Sequence, residues 1–135
     1  MTVSPHEFLH PKNWKSAQGY SVGIAASGRT IYCGGLVGWN ADQVFESDDF
    51  VEQVAQTLRN IVAVLAEAGA GPEHLVRLTW YVTDKQDYLH RLKDIGSTYR
   101  GIIGKHYPAM ALVQVAALAE DRAKVEIEAT AVIPL

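Results

Sequence analysis

Residues 107–133 read YPAMALVQVAALAEDRAKVEIEATAVI, and the architecture turns on how this stretch is read. Two successive strands are expected in it, one from Tyr107 through Leu112 to Val115 and one from Lys124 to Ile133. In the second, Val125, Ile127, Ala129, Ala131 and Ile133 fall on one side and Lys124, Glu126, Glu128 and Thr130 on the other, because strand side chains alternate with period two. Two carboxylates and a threonine in mid-strand, between apolar neighbours, are costly to bury without partners. That polar face has to be explained by the rest of the chain.

Moving outward, residues 74–83 alternate in the same way. Val76, Leu78, Trp80 and Val82 are expected on one face, and Leu75, Arg77, Thr79 and Tyr81 on the other. Tyr20 to Ala26 and Thr30 to Val37 read as a hairpin around Ser27-Gly28-Arg29, with Gly28 supplying the positive φ of a tight turn. Gly34, Gly35 and Gly38 strip side chains from the end of its second strand, the mark of a bulge or of a close approach. Phe50, Val54, Leu58, Ile61 and Leu65 recur at helical spacing after an expected Ser47 N-cap and stop at Gly69-Ala-Gly71-Pro72. A second helix is expected from the capping box Thr83-Asp-Lys-Gln86 to Gly104, with Tyr88, Leu92, Ile95, Tyr99, Ile102 and Ile103 as its stripe. Residues 1–17 read as an arm or edge segment in which Trp14 packs somewhere.

The order β-β-α-β-α-β-β, with no repeat or linker, implies one α+β domain over residues 1–135: a sheet covered on one face by two helices. The other face would hold Leu75, Tyr81, Met110, Leu112 and Val132 beside Arg77, Gln114, Glu126 and Glu128. That mixture is too apolar for open water and too polar for a dry core. A subunit interface containing a site fits it.

Composition narrows the function classes. The chain has 135 residues, 48% of them apolar and 20% charged, with a net charge of −3 and no basic run, which argues against binding nucleic acid through its phosphates. No apolar run approaches a membrane helix, and the first residues do not read as a signal peptide. A single cysteine, Cys33, suits a reducing compartment, so the expected location is cytoplasmic. The five histidines show no metal-site spacing.

The topology, Gly19-Tyr20-Ser21, the glycine-marked second strand and Arg77-Leu-Thr-Trp-Tyr-Val-Thr-Asp84 resemble the Rid family of reactive-intermediate deaminases, the YjgF group. The tract Tyr107-Pro-Ala to Val-Glu126-Ile-Glu128-Ala-Thr-Ala-Val agrees most closely. The resemblance implies a chorismate-mutase-like fold, a homotrimer with small-molecule pockets between subunits, and hydrolysis of enamine or imine intermediates without metal or organic cofactor. It implies that Glu126 positions or activates water, and that Tyr20, Cys33 and Gly34 line the pocket. Members acting on 2-aminoacrylate carry an arginine directly after Pro-Ala, a fork that grips the substrate carboxylate. Here that position is Met110, which cannot, and Gly96 stands where some members have asparagine.

Each feature has a plainer reading beside this one. Glu126 is either a general base or one half of an ion pair with Arg77. Glu128 reads as an interface ion-pair partner. Arg77 or Arg100 is a candidate replacement for the clamp. Trp39, Tyr107, Met110 and Leu112 form either an apolar pocket lining or plain packing. His106 reads as a hydrogen-bonded histidine or a proton shuttle, and Cys33 as a buried thiol or pocket lining. The function expected is therefore a divergent hydrolytic deaminase, inactive on 2-aminoacrylate, with a non-catalytic small-molecule-binding or regulatory trimer as the alternative.

Overall fold

The computed structural model describes residues 4–135. Its centre is the strand that carries the alternating carboxylates. Strands β3 (Arg29–Val37), β4 (Leu75–Val82), β5 (Ala109–Gln114) and β6 (Val125–Ile133) form one sheet in the order β3-β6-β4-β5. β6 is antiparallel to both neighbours, and β4 and β5 run parallel. Helices α1 (Phe50–Glu67), α2 (Lys85–His90) and α3 (Leu92–Ile102) follow β3 and β4. A two-stranded ribbon, β1 (Glu7–Phe8) with β2 (Ile24–Ala25), stands apart from the sheet.

One face of the sheet is the core. Val125, Ile127, Ala129 and Ala131 of β6 and Leu78, Trp80 and Val82 of β4 are buried against Val54, Leu58, Ile61 and Leu65 of α1 and Ile95 and Tyr99 of α3. Burying each large apolar side chain contributes about 1.5–3 kcal/mol relative to exposure. The α1 stripe is thus the one read from the sequence. Gln53, fully buried on the same helix, pins it to the chain before β6: its amide donates to the carbonyls of Ser47 and Arg122 and accepts from the Lys124 N–H. Among the described residues no helix is long and apolar enough to cross a membrane.

Several local expectations are corrected. Residues 20–26 do not form a hairpin with β3. Ile24–Ala25 pairs with Glu7–Phe8, and Ser21 instead bridges Ala109 at the start of β5. Gly28 does have positive φ, +144°, but its role is close approach: a Cβ there would stand 2.7 Å from the Ile133 carbonyl carbon of β6. Trp14 does not pack inward; it is exposed.

Helix α1 is capped by Asp49, which accepts from the Glu52 N–H, and not by Ser47, whose hydroxyl bonds the Glu52 carboxylate. The single second helix is two. Its backbone breaks at Arg91 (φ −126°, ψ 30°), whose guanidinium bonds Asp49 at 2.7 Å, and Asp84 rather than Thr83 caps α2.

Leu75 is in the core and not on the open face, because a register shift between Leu75 and Arg77 against β6 inverts the alternation at that end of β4. Met110 and Leu112 are likewise on the helix side. They sit opposite Leu78 and Trp80, and opposed residues share a face.

Candidate functional site

The face that no helix covers is built on β6. Glu126 stands opposite Val37 on one side and Tyr81 on the other, Glu128 opposite Thr79, and Thr130 between Tyr32 and Arg77. The β3 register shifts between Cys33 and Leu36, and of the two glycines there Gly35 makes room for Glu126. A Cβ on Gly35 would stand 2.9 Å from the Glu126 carboxyl carbon and closer still to one of its oxygens. Glu128 is tied to Tyr81, whose hydroxyl donates to it at 2.7 Å. That hydrogen bond, with burial and the nearby carboxylate charges, holds the Tyr81 phenol above its usual range. Neither Glu126 nor Arg77 enters a salt bridge among the described residues, so the ion-pair reading finds no partner within one chain.

A second feature lies at the opposite edge. The Ser21 N–H donates to the Pro108 carbonyl at 3.1 Å and the Ser21 hydroxyl to that of Tyr107, which lays residues 17–21 along the start of β5. Between that segment, α3 and the helix side of β4 and β5 is a cavity of about 630 Å³ lined by Tyr20, Tyr107 and Met110. This is within the range of small-molecule sites. Tyr107 stacks on Tyr99 with ring centroids 5.5 Å apart, and Tyr99 is anchored by donating to the His106 carbonyl at 2.6 Å. Burial pushes the Tyr99 phenol far up, so it stays a neutral donor.

Residues 11–133 match the family described as endoribonuclease L-PSP. The chain belongs to the Rid family. A solved Rid-family structure from Yersinia pestis is 32% identical, covers 95% of this chain and 98% of its own, and superposes with a TM-score of 0.85. The UK114 protein of Drosophila melanogaster is 31% identical over 83% of this chain and 78% of its own length. The 2-iminobutanoate/2-iminopropanoate deaminase of Salmonella typhimurium is 34% identical over 64% of this chain and 66% of its own length. The RutC family protein y4sK of Sinorhizobium fredii is 40% identical, and the match spans 64% of that protein's length.

Within this Rid chain the residues singled out from sequence fall into separate groups. Tyr20, Tyr107 and Met110 share the larger cavity. Cys33 and Gly34 line a recess of about 350 Å³ with Arg77 and Glu128. Burial pushes the Cys33 thiol up, away from the thiolate a nucleophile needs. Trp39 packs on Phe45 at 5.7 Å, and its carbonyl accepts from Asn60, so it belongs to a satellite of the core. Leu112 packs against the main core.

Glu126 lies on the open face and Met110 on the other, so one chain does not place them in one pocket. His106 is buried, with Nε2 2.7 Å from the Leu75 carbonyl; burial holds it below its ordinary range, as for a hydrogen-bonded structural histidine. The sequence reading missed Trp80 and Lys105, which line the cavity with Arg100. Trp80 was assigned to the core from alternation alone. β4 lies inside the sheet, next to the edge strand β5, and nothing local in the sequence separates a core ring from one that also borders a hollow.

Proposed function

We propose that this chain is a hydrolytic deaminase of a reactive enamine or imine intermediate, with Glu126 as the group that positions and deprotonates the attacking water. The observation that carries the reading is Glu126 itself. It is a half-buried carboxylate outside every salt bridge among the described residues, seated over a glycine that only leaves room for it, on the sheet face without helices. The Salmonella relative named as an imine deaminase supports the same class of chemistry.

An enamine first tautomerises to its imine. Glu126 takes a proton from water as the water oxygen bonds to the carbon of the protonated imine, and the π pair moves to nitrogen, which becomes a neutral amine. The carbinolamine then collapses. The carboxyl returns its proton to nitrogen, and as the C–N bond breaks the carboxylate takes the hydroxyl proton, so that ammonia leaves, the carbonyl forms and the proton passes from Glu126 to the departing ammonia as ammonium.

Glu126 and the Tyr20–Tyr107–Met110 cavity are on opposite sides of one sheet, so the reading includes an assembly. In a homotrimer the open face of one copy meets the cavity edge of the next, and the cleft is completed between them. Tyr32, 78% exposed, and Val113 on that open face are the kind of apolar surface an interface covers. Glu126→Gln is expected to lose imine hydrolysis by about 10²-fold or more with the assembly intact; an unchanged rate sinks the reading. Scattering mass is expected to give three chains per particle.

Met110 favours a second reading, a trimer that binds a metabolite without converting it. Calorimetric binding with no product formed would establish that one. On 2-aminoacrylate, whose decay can be followed directly, no acceleration is expected, because the thioether at position 110 cannot fork onto its carboxylate and so small an acid reaches the other walls of the cavity poorly.

A further inference from the structure

The cavity between residues 17–21, α3 and the edge of β5 holds two cations and, among the described residues, no carboxylate. Arg100 and Lys105 both line it, and neither enters a salt bridge among the described residues. Arg100 and Lys105 are both exposed, at the rim of the cavity, but Arg100 is not fully extended. Its guanidinium folds back over Gly96, one turn earlier on α3, where a Cβ would stand 3.2 Å from Nη1. A larger residue at position 96 would crowd it out of this pose.

A second observation comes from the sheet. Trp80 borders the same cavity and is 2% exposed, yet its indole Nε1 is a buried polar atom with no hydrogen-bond partner among the described residues. Buried donors are ordinarily satisfied, and an exception calls for a reason. The atom is sealed from the hollow, so no ligand acceptor reaches it as the ring stands; what Trp80 offers the cavity is the rest of its ring, with Tyr88 beside it. Apart from Gln18 and Ser21, the remaining walls are largely apolar and aromatic: Tyr107 presents a ring fixed by its stack on Tyr99, Tyr88 packs edge-on against Trp80 at 6.0 Å, and Met110 contributes a polarizable thioether.

We propose that this cavity takes an aryl-substituted carboxylate, with the Arg100 guanidinium on the carboxylate, Lys105 in support, and the ring against Tyr107, Met110 and the exposed edge of Trp80. Arg100 then supplies from α3 the anion contact that position 110 on β5 lacks. The inference rests on reading the cavity as the ligand-binding half of the deaminase cleft, and it names the substrate class as the imine or enamine of an aromatic 2-oxo acid. A three-carbon acid would fill only a fraction of 630 Å³ and would reach the aromatic walls poorly.

The test is calorimetry on the full chain with 3-phenylpropanoate, its neutral amide 3-phenylpropanamide, and propanoate. The aryl acid is expected to bind about tenfold or more tighter than the amide, the scale of one charge-assisted hydrogen bond, and tighter than propanoate. Arg100→Gln is expected to erase the acid's advantage and leave amide binding unchanged. Arg100→Lys, which keeps the charge should the first variant fold poorly, is expected to keep part of it. The Trp80 indole ¹⁵N–¹H resonance, assigned by its loss in Trp80→Phe, is expected to move on saturation with the acid.

Equal binding of acid and amide, an advantage that survives Arg100→Gln, or an unmoved indole resonance would each overturn the assignment. Glu126→Gln separates the two claims. If it abolishes turnover of a neutral imine while acid and amide bind alike, the deaminase reading stands and the aryl-carboxylate assignment falls. If the acid binds as expected and no imine is turned over, the reverse holds.

Discussion

Replacing Gly35 with alanine would probe how tightly the backbone of β3 dictates the position of Glu126. The added methyl would sit 2.9 Å from the Glu126 carboxyl carbon, where ordinary contact begins at 3.4 Å and one oxygen is nearer still. Restoring van der Waals separation takes a displacement of about 1 Å. The atoms in the way are the far end of a flexible side chain, so the carboxylate moves and the fold does not. A misplacement of about 1 Å in a catalytic group can cost on the order of 10²-fold in rate. Alanine in place of glycine in a strand recovers about 0.5–1 kcal/mol of backbone entropy against the strain of the shift, so net stability is expected to change by less than about 1 kcal/mol.

The assay pairs kcat for imine hydrolysis, read as ammonia release, with thermal unfolding. The expected outcome is a kcat loss of about 10²-fold with Tm moved by no more than a few degrees. Gly101→Ala on the exposed side of α3, where a Cβ meets nothing within 4 Å, is the control. It is expected to leave kcat alone and raise stability by about 0.8–1 kcal/mol through helix propensity. Full activity in Gly35→Ala would refute the placement of Glu126 as the water-positioning group. Activity and several kcal/mol lost together would show that Gly35 serves the fold instead.

Other consequences are open to direct measurement. Gly28→Ala combines φ of +144° with a Cβ 2.7 Å from the Ile133 carbonyl carbon and 2.9 Å from the Pro134 Cα; it should lose about 2–4 kcal/mol in denaturant unfolding. Asp49→Ala removes the α1 cap and should cost about 1 kcal/mol near neutral pH. The Asp49 carboxyl is held below its usual range, first by its hydrogen bond with Arg91, so its contribution is present above the unfolded carboxylate value. It is lost as pH falls through the lower folded value, and the variant and the parent should converge in acid. His106 is depressed by burial, so protonation favours the unfolded chain, and the denaturation midpoint should fall as pH drops below about 6.5. A His106→Asn variant should show a shallower fall.

How far the sequence could be read depended on whether a local period set the answer. The alternation of β6 and the stripe of α1 were legible because each repeats over several turns or pairs, and both are buried as the pattern demands. Leu75 was misplaced because a bulge adds one residue and inverts parity, an event with no composition signature in Leu75-Val-Arg77. Met110 and Leu112 were put on the wrong face for a related reason. The face of β5 is set by its parallel register with β4, Leu78 opposite Met110, and pairing register is not a local property.

Residues 20–26 carry strand-like side chains, but their partners lie at residues 7–8 and 109, one far too short to recognise and the other nearly ninety residues along. Arg91 broke a helix that its stripe predicted to be continuous, because its guanidinium is drawn to Asp49 on another helix. Glu126 draws attention by its awkward setting in mid-strand, and its proposed role comes from the family resemblance. The Trp80, Arg100 and Lys105 grouping was not legible, since three elements have to meet before it exists.

The position of β6 also bears on how the chain reaches this structure. It is the last of the core elements in sequence, yet it lies between β3 and β4 and supplies pairing to both. Until it is made, β3 and β4 face each other across a missing strand, with Leu78, Trp80 and Val82 lacking their neighbours. Its pairing with β3 closes a loop from Cys33 to Ala129, a long-range contact of the kind that slows folding. During synthesis the nascent chain therefore carries two unpaired strand edges and a half-covered helix stripe, a form prone to sticking to other copies. A deletion that reaches into Ala129–Ile133 would leave no smaller folded remnant, only that same intermediate with nowhere to go.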